Sequence, residues 1–325
     1  MEVVGPEDCT PPGAGAAVTI GAYDGVHLGH RFVIAQLQRQ AAGLGLATVV
    51  VTFDRHPAMV VRPESAPRLL TDLPQKLELL AECGVDRTLV VPFDEGRSNE
   101  SAEDFVRSTL VGALGARLVV VGEDFHFGHG RKGNVALMRE LGTAHGFVVS
   151  GVALAKLGRD GPVSSTRIRQ LLGNGDVLGA AELLGRPHQV RGEVVAGERR
   201  GARLLGFPTA NVVVPGEIAL PADGVYAGRY ARPDGSLFDA AIAIGPPPTF
   251  PSPDGSAPRA LVEAYLLDFE GDLYGEPARV SFVARLRAQA RFSDVAELVA
   301  QMHRDVAETR RLLGTGPTGG GPIGS

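Results

Sequence analysis

The chain has 325 residues, of which 44% are hydrophobic and 21% are charged, so its composition is that of an ordinary globular protein. At roughly 150 residues per domain, this length suggests two domains. The formal net charge of -5 provides no broad positive field, which argues against non-specific binding to nucleic acid or to an anionic membrane surface. Any anionic ligand must therefore be bound by local groups.

The two cysteines, Cys9 and Cys83, do not form the pattern of a disulfide framework. No basic N-terminal segment precedes an apolar run, and no apolar stretch reaches the ~20 residues that a membrane-spanning helix needs. The sequence therefore predicts a cytoplasmic protein without a structural disulfide.

The first half of the chain alternates apolar, strand-like runs with helical patterns. Strands are predicted at 17–20, 47–53, 88–91, 118–122 and 147–152. Helices are predicted at about 29–42, 73–82 and 135–145, from Ser165 onward, and from an N-cap at Ser101 with Asp104 three residues later. Repeated βα units with near-continuous apolar strands predict an α/β fold with a doubly wound parallel sheet.

The pattern changes after residue 186, where short alternating strands are separated by Gly, Pro and Asp. Strands predicted at 189–195, 225–231, 238–244, 261–267 and 278–286 indicate a small antiparallel β-barrel. A final amphipathic helix is predicted at 295–313. We therefore expect one domain at 15–186, a barrel domain with a C-terminal helix at 187–313, and disordered ends at 1–14 and 314–325.

Segment 21–30 (GAYDGVHLGH) directly follows the first predicted strand. Gly21 lets a ligand approach the backbone at the carboxyl end of a strand, where open α/β sheets bind ligands. Gly29 and His30 open a helix, whose free N–H groups and positive dipole end favour phosphate. Because His27 and His30 are three residues apart, both imidazoles can face one phosphate group and stabilise the charge that develops in phosphoryl transfer.

Two other interpretations of this histidine pair stay open, a metal site and a purely structural role. No cysteine or third ligand stands at a suggestive local spacing for a metal. The glycine series Gly173, Gly175 and Gly179 follows a predicted helix rather than a strand, so it indicates a turn and not a dinucleotide-binding loop.

Four segments of the first half resemble, in order, the FMN adenylyltransferase module of the prokaryotic bifunctional riboflavin kinase/FAD synthetase family. Segment 24–30 (DGVHLGH) is similar to the HxGH signature of nucleotidyltransferases, and segment 51–57 (VTFDRHP) to the end of that module's second strand, with Arg55 where proline is usual. Segment 121–128 (VGEDFHFG) resembles its flavin-side loop, and segment 163–169 (VSSTRIR) its SSTxIR segment. The resemblance implies a Rossmann-like nucleotidyltransferase domain.

The resemblance also implies which residues form the site. His27, His30 and Arg169 would neutralise the triphosphate of ATP as catalytic residues. The implied nucleotide and phosphate contacts in this domain are Gly21, Asp24, Gly29, Ser164, Ser165 and Thr166. The implied flavin contacts are Gly122, Asp124, Phe125, Phe127 and Asn134. Independently, a Ser-Ser-Thr run at a helix start supplies hydroxyl and backbone donors, and Arg169 can place two donors on phosphate oxygens.

Segment 205–211 (LGFPTAN) resembles the GFPTAN motif of riboflavin kinases, and segments 221–227 (PADGVYA) and 262–269 (VEAYLLDF) follow in family order. The resemblance implies that the side chains of this motif hold Mg²⁺ and nucleotide phosphate and that a downstream glutamate is the base on the ribityl hydroxyl. The residues that match these roles are Thr209 and Asn211 for the metal, Arg203 for the nucleotide and Glu263 for the base.

The sequence departs from the kinase pattern close to this motif. Ala202 replaces a usual glycine, Gln289 replaces a common glutamate, and Pro246 and Pro247 stand where the family reads roughly IGTNPTF. A second hypothesis therefore stays open, in which the chain is a nucleotidyltransferase for FMN or a flavin analogue and the barrel only binds flavin or regulates.

The leading expectation is an enzyme of FAD biosynthesis. The barrel would phosphorylate riboflavin to FMN with ATP, and the first domain would adenylylate FMN to FAD and release pyrophosphate. Mg²⁺, ATP, riboflavin and FMN are the expected small-molecule ligands. No nucleic-acid or membrane partner is expected, and the oligomeric state stays open.

Overall fold

The structure, a computed structural model, describes residues 1–153, 161–196, 208–245 and 260–314. The chain divides into two compact units, 1–165 and 166–325, whereas the sequence pattern suggests a boundary at residue 186. The division lies earlier because the segment after Ser165 joins the barrel. The Ala222 N–H donates to the Leu172 carbonyl at 2.9 Å. The Arg285 guanidinium donates to the Asn174 carbonyl at 3.3 Å.

The first unit is built on a parallel sheet, as predicted. Its strands are β1 Glu2–Val4, β2 Ala16–Ile20, β3 Ala47–Phe53, β4 Arg87–Val91, β5 Ala116–Gly122 and β8 Val148–Val152. A separate two-stranded hairpin consists of β6 His126–Phe127 and β7 Gly133–Asn134. The sheet order is β1-β4-β3-β2-β5-β8, and every pairing in it is parallel.

The strand order reverses direction beside β2. Strands β3 and β4 lie on one side of β2, and β5 and β8 lie on the other. Such a reversal opens a crevice at the carboxyl ends of the strands, which is where open α/β sheets bind ligands. The loops that follow β2 and β5 therefore border the expected ligand position.

Helices cover both faces of this sheet. They are α1 Leu28–Ala42, α2 Ala58–Val61, α3 Leu73–Glu82, α4 Glu95–Ser98, α5 Ala102–Phe105 and α6 Val135–His145, with 3₁₀ turns at Pro63–Ser65 and His129–Arg131. Helix α5 continues as the π-helical segment Val106–Ala113. The predicted cap at Ser101 is confirmed, because its Oγ accepts the Asp104 N–H at 3.0 Å.

The N-terminus contains an ordered strand, which corrects the expectation of disorder over residues 1–14. Strand β1 pairs in parallel with β4 and buries Val4. The Arg87 guanidinium on β4 bonds the Glu2 carboxylate at 2.6 Å and the Thr10 carbonyl at 2.7 Å. These contacts hold the segment along the edge of the sheet although its composition is rich in Gly, Pro and Ala.

The second unit contains the predicted antiparallel barrel, which is closed. Its strands are β9 His188–Val195, β10 Ala210–Val214, β11 Gly224–Ala231, β12 Leu237–Ile244, β13 Ala260–Leu266 and β14 Pro277–Arg287, in the order β10-β13-β12-β11-β14-β9. Helices α7 Ser165–Gly173 and α8 Val177–Leu184 precede it. Gly175 lies in a turn as expected, but Gly179 belongs to α8, where its N–H is capped by Asp176 at 2.8 Å.

The predicted C-terminal helix is confirmed as α9 Val295–Leu313, which packs on β11, β12 and β14. A buried ion pair anchors it, because the Arg287 guanidinium bonds the Asp305 carboxylate at 3.0 and 2.7 Å. Gln301 donates a further bond to the same carboxylate at 2.8 Å. Paired and hydrogen-bonded in this way, Asp305 can be almost fully buried, since its charge is compensated. The predicted tail beyond residue 314 lies outside the described residues.

His188 is a buried histidine at the start of the barrel. Its Nε2–H donates to the Ala219 carbonyl at 2.8 Å, and its ring lies over Phe282. Burial lowers the pKa of His188 to about 4, because the charged imidazolium would lose its hydration. The barrel therefore folds around a neutral imidazole.

We predict that this histidine makes the barrel sensitive to acid. Between about pH 6.5 and pH 4 the unfolded chain binds a proton at His188 that the folded chain does not bind, so stability falls as the pH falls through this window. The loss approaches about 3 kcal/mol in the free energy of unfolding. Urea unfolding at several pH values checks this, with His188→Gln as the control that keeps a donor but does not titrate. Equal pH dependence in the two proteins would contradict the assignment.

Candidate functional site

The loop after β2 is held in a strained conformation. Tyr23 and Val26 have positive φ angles of 49° and 38°, and Gly25 between them has φ 84°. Such angles are unfavourable for non-glycine residues, above all for a β-branched one. Several hydrogen bonds to the segment at Leu70 and Thr71 compensate for this backbone strain. The Asp24 Oδ1 accepts their backbone N–H groups at 2.8 and 3.2 Å, and the Gly25 N–H donates to the Thr71 Oγ1 at 3.1 Å.

The two predicted histidines meet at the start of α1. His27 is the N-cap, and its Nδ1 accepts the His30 backbone N–H at 3.3 Å. The two rings are stacked, with centroids 3.6 Å apart and planes 14° from parallel. A Cβ on Gly29 would lie 3.1 Å from the His27 ring and 3.2 Å from the Val163 carbonyl. Glycine at this position therefore permits the close approach of the histidine and the 163–165 segment.

The His30 ring is enclosed by protein atoms at the start of α1. Its Nδ1 is buried and has no hydrogen-bond partner in the described part of the chain. Burial lowers the pKa of His30 well below its usual value, and charge on His27 and Lys76 lowers it further. The Tyr23 ring packs beside it at 4.9 Å. At neutral pH the ring is therefore an uncharged imidazole, which donates one N–H.

The predicted serine-rich segment is joined to this loop. The Ser165 Oγ donates to the Asp24 carbonyl at 2.9 Å, and α7 begins at Ser165. Ser164 precedes it and is half-buried. Thr166 and Arg169 follow on α7, beyond the division between the two units, and their contribution to the site stays a prediction.

The predicted flavin loop follows β5, on the other side of the strand reversal. Gly122 ends β5, and Asp124 in the next turn is exposed. Phe127 is buried in the core of the first unit, where it contacts Phe105. It therefore anchors the loop to the core. Phe125 stacks on Phe127 at 5.5 Å and is half-buried, which leaves part of its ring accessible. Asn134 caps α6, since its Oδ1 accepts the Leu137 N–H at 3.0 Å.

One residue near this site was missed by the sequence analysis. Lys76 on α3 is almost fully buried, and its ammonium group contacts the ends of β2 and β3. The signal was present in the sequence, because Lys76 stands three and four residues before the buried Leu79 and Leu80 and so belongs to the apolar face of the helix.

The barrel brings two of its predicted residues side by side. Asn211 on β10 pairs with Glu263 on β13 in the antiparallel register, so both side chains lie on the same face. The alternating residues Val212 and Val262 are fully buried, which places Asn211 and Glu263 on the outer face of the barrel. The small residue Ala243 stands opposite Glu263 on β12. On β12 the Glu263 side chain therefore faces only a methyl group.

The Glu263 carboxyl reaches solvent, but surrounding protein atoms remove part of its hydration and raise its pKa. Thr209 directly precedes β10 and stands two residues before Asn211. A hydroxyl, an amide oxygen and a carboxylate are oxygen donors of the kind that Mg²⁺ prefers. Within the described ranges no group of three His, Cys, Asp or Glu side chains could hold a metal, so the metal interpretation of His27 and His30 gains no support.

Comparison with known proteins assigns the two units to one family. The FAD synthetase family model matches residues 10–167, and the riboflavin kinase family model matches residues 184–313. A bifunctional riboflavin kinase/FMN adenylyltransferase of Escherichia coli K12 is 36% identical over 93% of this chain and 94% of its own length. That of Pseudomonas fluorescens is 38% identical over 96% of this chain and 98% of its own.

The chain belongs to the bifunctional riboflavin kinase/FMN adenylyltransferase family. A solved structure described as a macrolide-efflux protein from Streptococcus pneumoniae has the same fold, with a TM-score of 0.82 and 29% identity over 95% of this chain and 99% of that chain. Among the residues that the structure describes, no helix combines the length and the hydropathy of a membrane-spanning segment.

Several departures of this bifunctional family member from the kinase pattern lie outside the described residues. These are Ala202, Pro246 and Pro247, together with the predicted nucleotide ligand Arg203. Gln289 is described, and its Nε2 donates to the Ile244 carbonyl at 2.9 Å. An ionised glutamate is an acceptor only and could not form this bond. This hydrogen bond explains why an amide side chain suits position 289, because it fixes Gln289 to the end of β12.

We predict that His30 is neutral at pH 6.5, where an unperturbed histidine is half protonated. The physical reason is that protonation would place a second charge in a buried position close to Lys76. Side-chain ¹⁵N chemical shifts followed from pH 7.5 to pH 5 check this, with His30→Gln used to assign the resonance. A protonation midpoint near 6.5 would show that the ring is fully hydrated.

Proposed function

We propose that this protein makes FAD from riboflavin in two steps in the cytoplasm. The second unit phosphorylates riboflavin to FMN with ATP, and the first unit transfers the adenylyl group of a second ATP to FMN. The observation that carries this proposal is that one chain matches both the FAD synthetase and the riboflavin kinase models, each over the unit with the corresponding site geometry.

Adenylyl transfer follows from the site after β2. A phosphate oxygen of FMN attacks the α-phosphorus of ATP, the bond from that phosphorus to the bridging oxygen breaks, and pyrophosphate leaves. The N-terminus of α1 offers its positive dipole end to the phosphates, and the neutral His30 donates a ring N–H to an oxygen that gains charge. The His27 ring stacks on the His30 ring and holds it in place. Positioning supplies most of the catalysis.

Other predicted residues have supporting roles at this site. Asp24 acts indirectly, because its carboxylate holds the loop rather than facing phosphate. Gly21 leaves room for the Tyr23 ring and Gly29 for the His27 ring. The proposed donors from the 164–169 segment are Ser164, Ser165, Thr166 and Arg169. For the flavin we propose contact with the Gly122–Asp124 turn, the Phe125 ring and the Asn134 amide, with Phe127 as a core support.

Phosphorylation of riboflavin follows from the pair on the barrel. The oxygen of the ribityl hydroxyl attacks the γ-phosphorus of ATP, and ADP leaves. Glu263 accepts the proton of this hydroxyl during the attack. The raised pKa of Glu263 makes the carboxylate a stronger base, which suits this role. Thr209 and Asn211 provide oxygen ligands for Mg²⁺, which neutralises phosphate charge when it is bound. Arg203 is proposed to bind the nucleotide.

The proposal predicts FAD from two different starting flavins. Purified protein with Mg²⁺ and ATP should convert both riboflavin and FMN to FAD, as measured by chromatographic separation of the flavins. Chelation of Mg²⁺ should stop the conversion. If FAD formed only from FMN, the barrel would be a flavin-binding or regulatory module, and if it formed from neither, the proposal would fail.

The two activities should be separable by single substitutions. His30→Ala should slow the conversion of FMN to FAD by about 10²–10³-fold, because a donor to the developing charge is lost, and should leave riboflavin phosphorylation intact. Glu263→Gln should slow phosphorylation by about 10²–10⁴-fold and leave adenylylation intact. In each variant, the activity that is retained shows that the chain still folds. Loss of both activities in either variant would argue against two independent sites.

A further inference from the structure

Lys76 is a buried cation at the carboxyl ends of β2 and β3. Its Nζ donates to the Phe53 carbonyl at 2.7 Å, and to the Thr52 Oγ1 and the Ala22 carbonyl at 3.3 Å each. The Thr52 hydroxyl also donates to the Ala22 carbonyl at 3.2 Å. The ammonium group thus connects the end of β3 with the first residues of the loop that leads to the histidines.

The direct partners of this ammonium are all neutral. In the described ranges no carboxylate oxygen lies within 4.0 Å of the Lys76 Nζ, although the residue is only 7% exposed. A buried charge without an ion-pair partner costs free energy, and an apolar side chain of the same length would avoid that cost. The positive charge therefore calls for a function beyond packing α3.

The position of the charge indicates what that function is. Ala22 begins the part of the loop that leads to His27 and His30, and Lys76 acts electrostatically on His30. The charged groups that act on the ammonium are Asp24 from the loop and Asp54 from the end of β3, and both favour its protonated form. An anionic ligand at the start of α1 would add a further favourable interaction.

We propose that Lys76 is a positioning residue for adenylyl transfer, whose buried ammonium group holds the Gly21–Ala22 backbone on the end of β3 and attracts the ATP phosphates from behind that backbone. This inference rests on the proposed function of the first unit. Lys76 does not touch the substrate, so it differs in role from His27 and His30. It acts through the backbone carbonyl of Ala22 and through its charge.

The first test replaces the ammonium with an uncharged side chain of similar length. Lys76→Met should lower kcat/KM for ATP in the conversion of FMN to FAD by about tenfold or more, mainly through KM, which is the order of one charge–charge interaction in a protein interior. Riboflavin phosphorylation by the same molecule should be unchanged. Because Met leaves the Phe53 and Ala22 carbonyls without the lysine donor, a lower melting temperature is compatible with the proposal, and the KM for ATP decides it.

A matched control separates this role from a structural one. Leu79→Ala removes a buried side chain one turn further along α3 without touching the ammonium. It should lower the melting temperature and leave the KM for ATP in FAD formation unchanged. If Leu79→Ala raised this KM as much as Lys76→Met, a general loosening of α3 would explain both results and the inference would be overturned.

The pH profile gives a second readout, and it keeps the inference testable if Lys76→Met folds poorly. Burial lowers the pKa of Lys76 to about 8, so kcat/KM for ATP in the wild type should fall as the pH rises through 8 and the charge is lost. Lys76→Arg keeps its charge to far higher pH, so this alkaline decrease should disappear. A decrease near pH 8 that persisted in Lys76→Arg would overturn the inference.

The wild-type protein distinguishes failure of the inference from failure of the proposed function. If the wild type forms no FAD from FMN, the proposed function fails and Lys76 has no reaction to support. If the wild type forms FAD and Lys76→Met does so with the same kcat/KM for ATP, the function stands and the inference fails.

Discussion

The Asp24 carboxylate is the contact on which the first site depends. It lies under the loop after β2 and accepts two backbone N–H groups from Leu70 and Thr71, which keeps Tyr23 and Val26 at positive φ. The same residue accepts the Ser165 hydroxyl through its carbonyl. A strained loop persists only where its surroundings compensate, and here the compensation also directs the start of α1 toward the reversal of strand order.

The two units solve related chemical problems with different parts of a fold. The first offers the beginning of a helix, where the positive dipole end lies beside a pair of stacked imidazoles. The second offers the outer face of a closed barrel, where Asn211 and Glu263 are set side by side by strand register. Phosphate transfer needs little covalent chemistry from the protein, so rigid placement is what both arrangements contribute.

Much of this organisation was predictable from the sequence, since long apolar strands and helical periodicity reflect burial directly. The sheet, the barrel and the final helix were predicted in this way and are confirmed. Short elements were not predicted, because β1 buries only Val4 and offers no periodicity. Sequence also does not distinguish a core aromatic from a ligand contact, as with Phe127, because that depends on tertiary packing. Helical spacing places Lys76 on the apolar face of α3, but only the tertiary contacts show that its ammonium group reaches the Ala22 and Phe53 carbonyls.

The short strand β1 has a consequence for how the molecule behaves in a crowded solution. Without it, β4 would form the margin of the sheet and present unpaired N–H and C=O groups to other chains. With β1 in place, the edge strand of the sheet is only three residues long, and it carries the Arg87–Glu2 ion pair. A short, charged edge strand is a poor template for pairing with another chain. The N-terminal residues therefore protect the protein against aggregation.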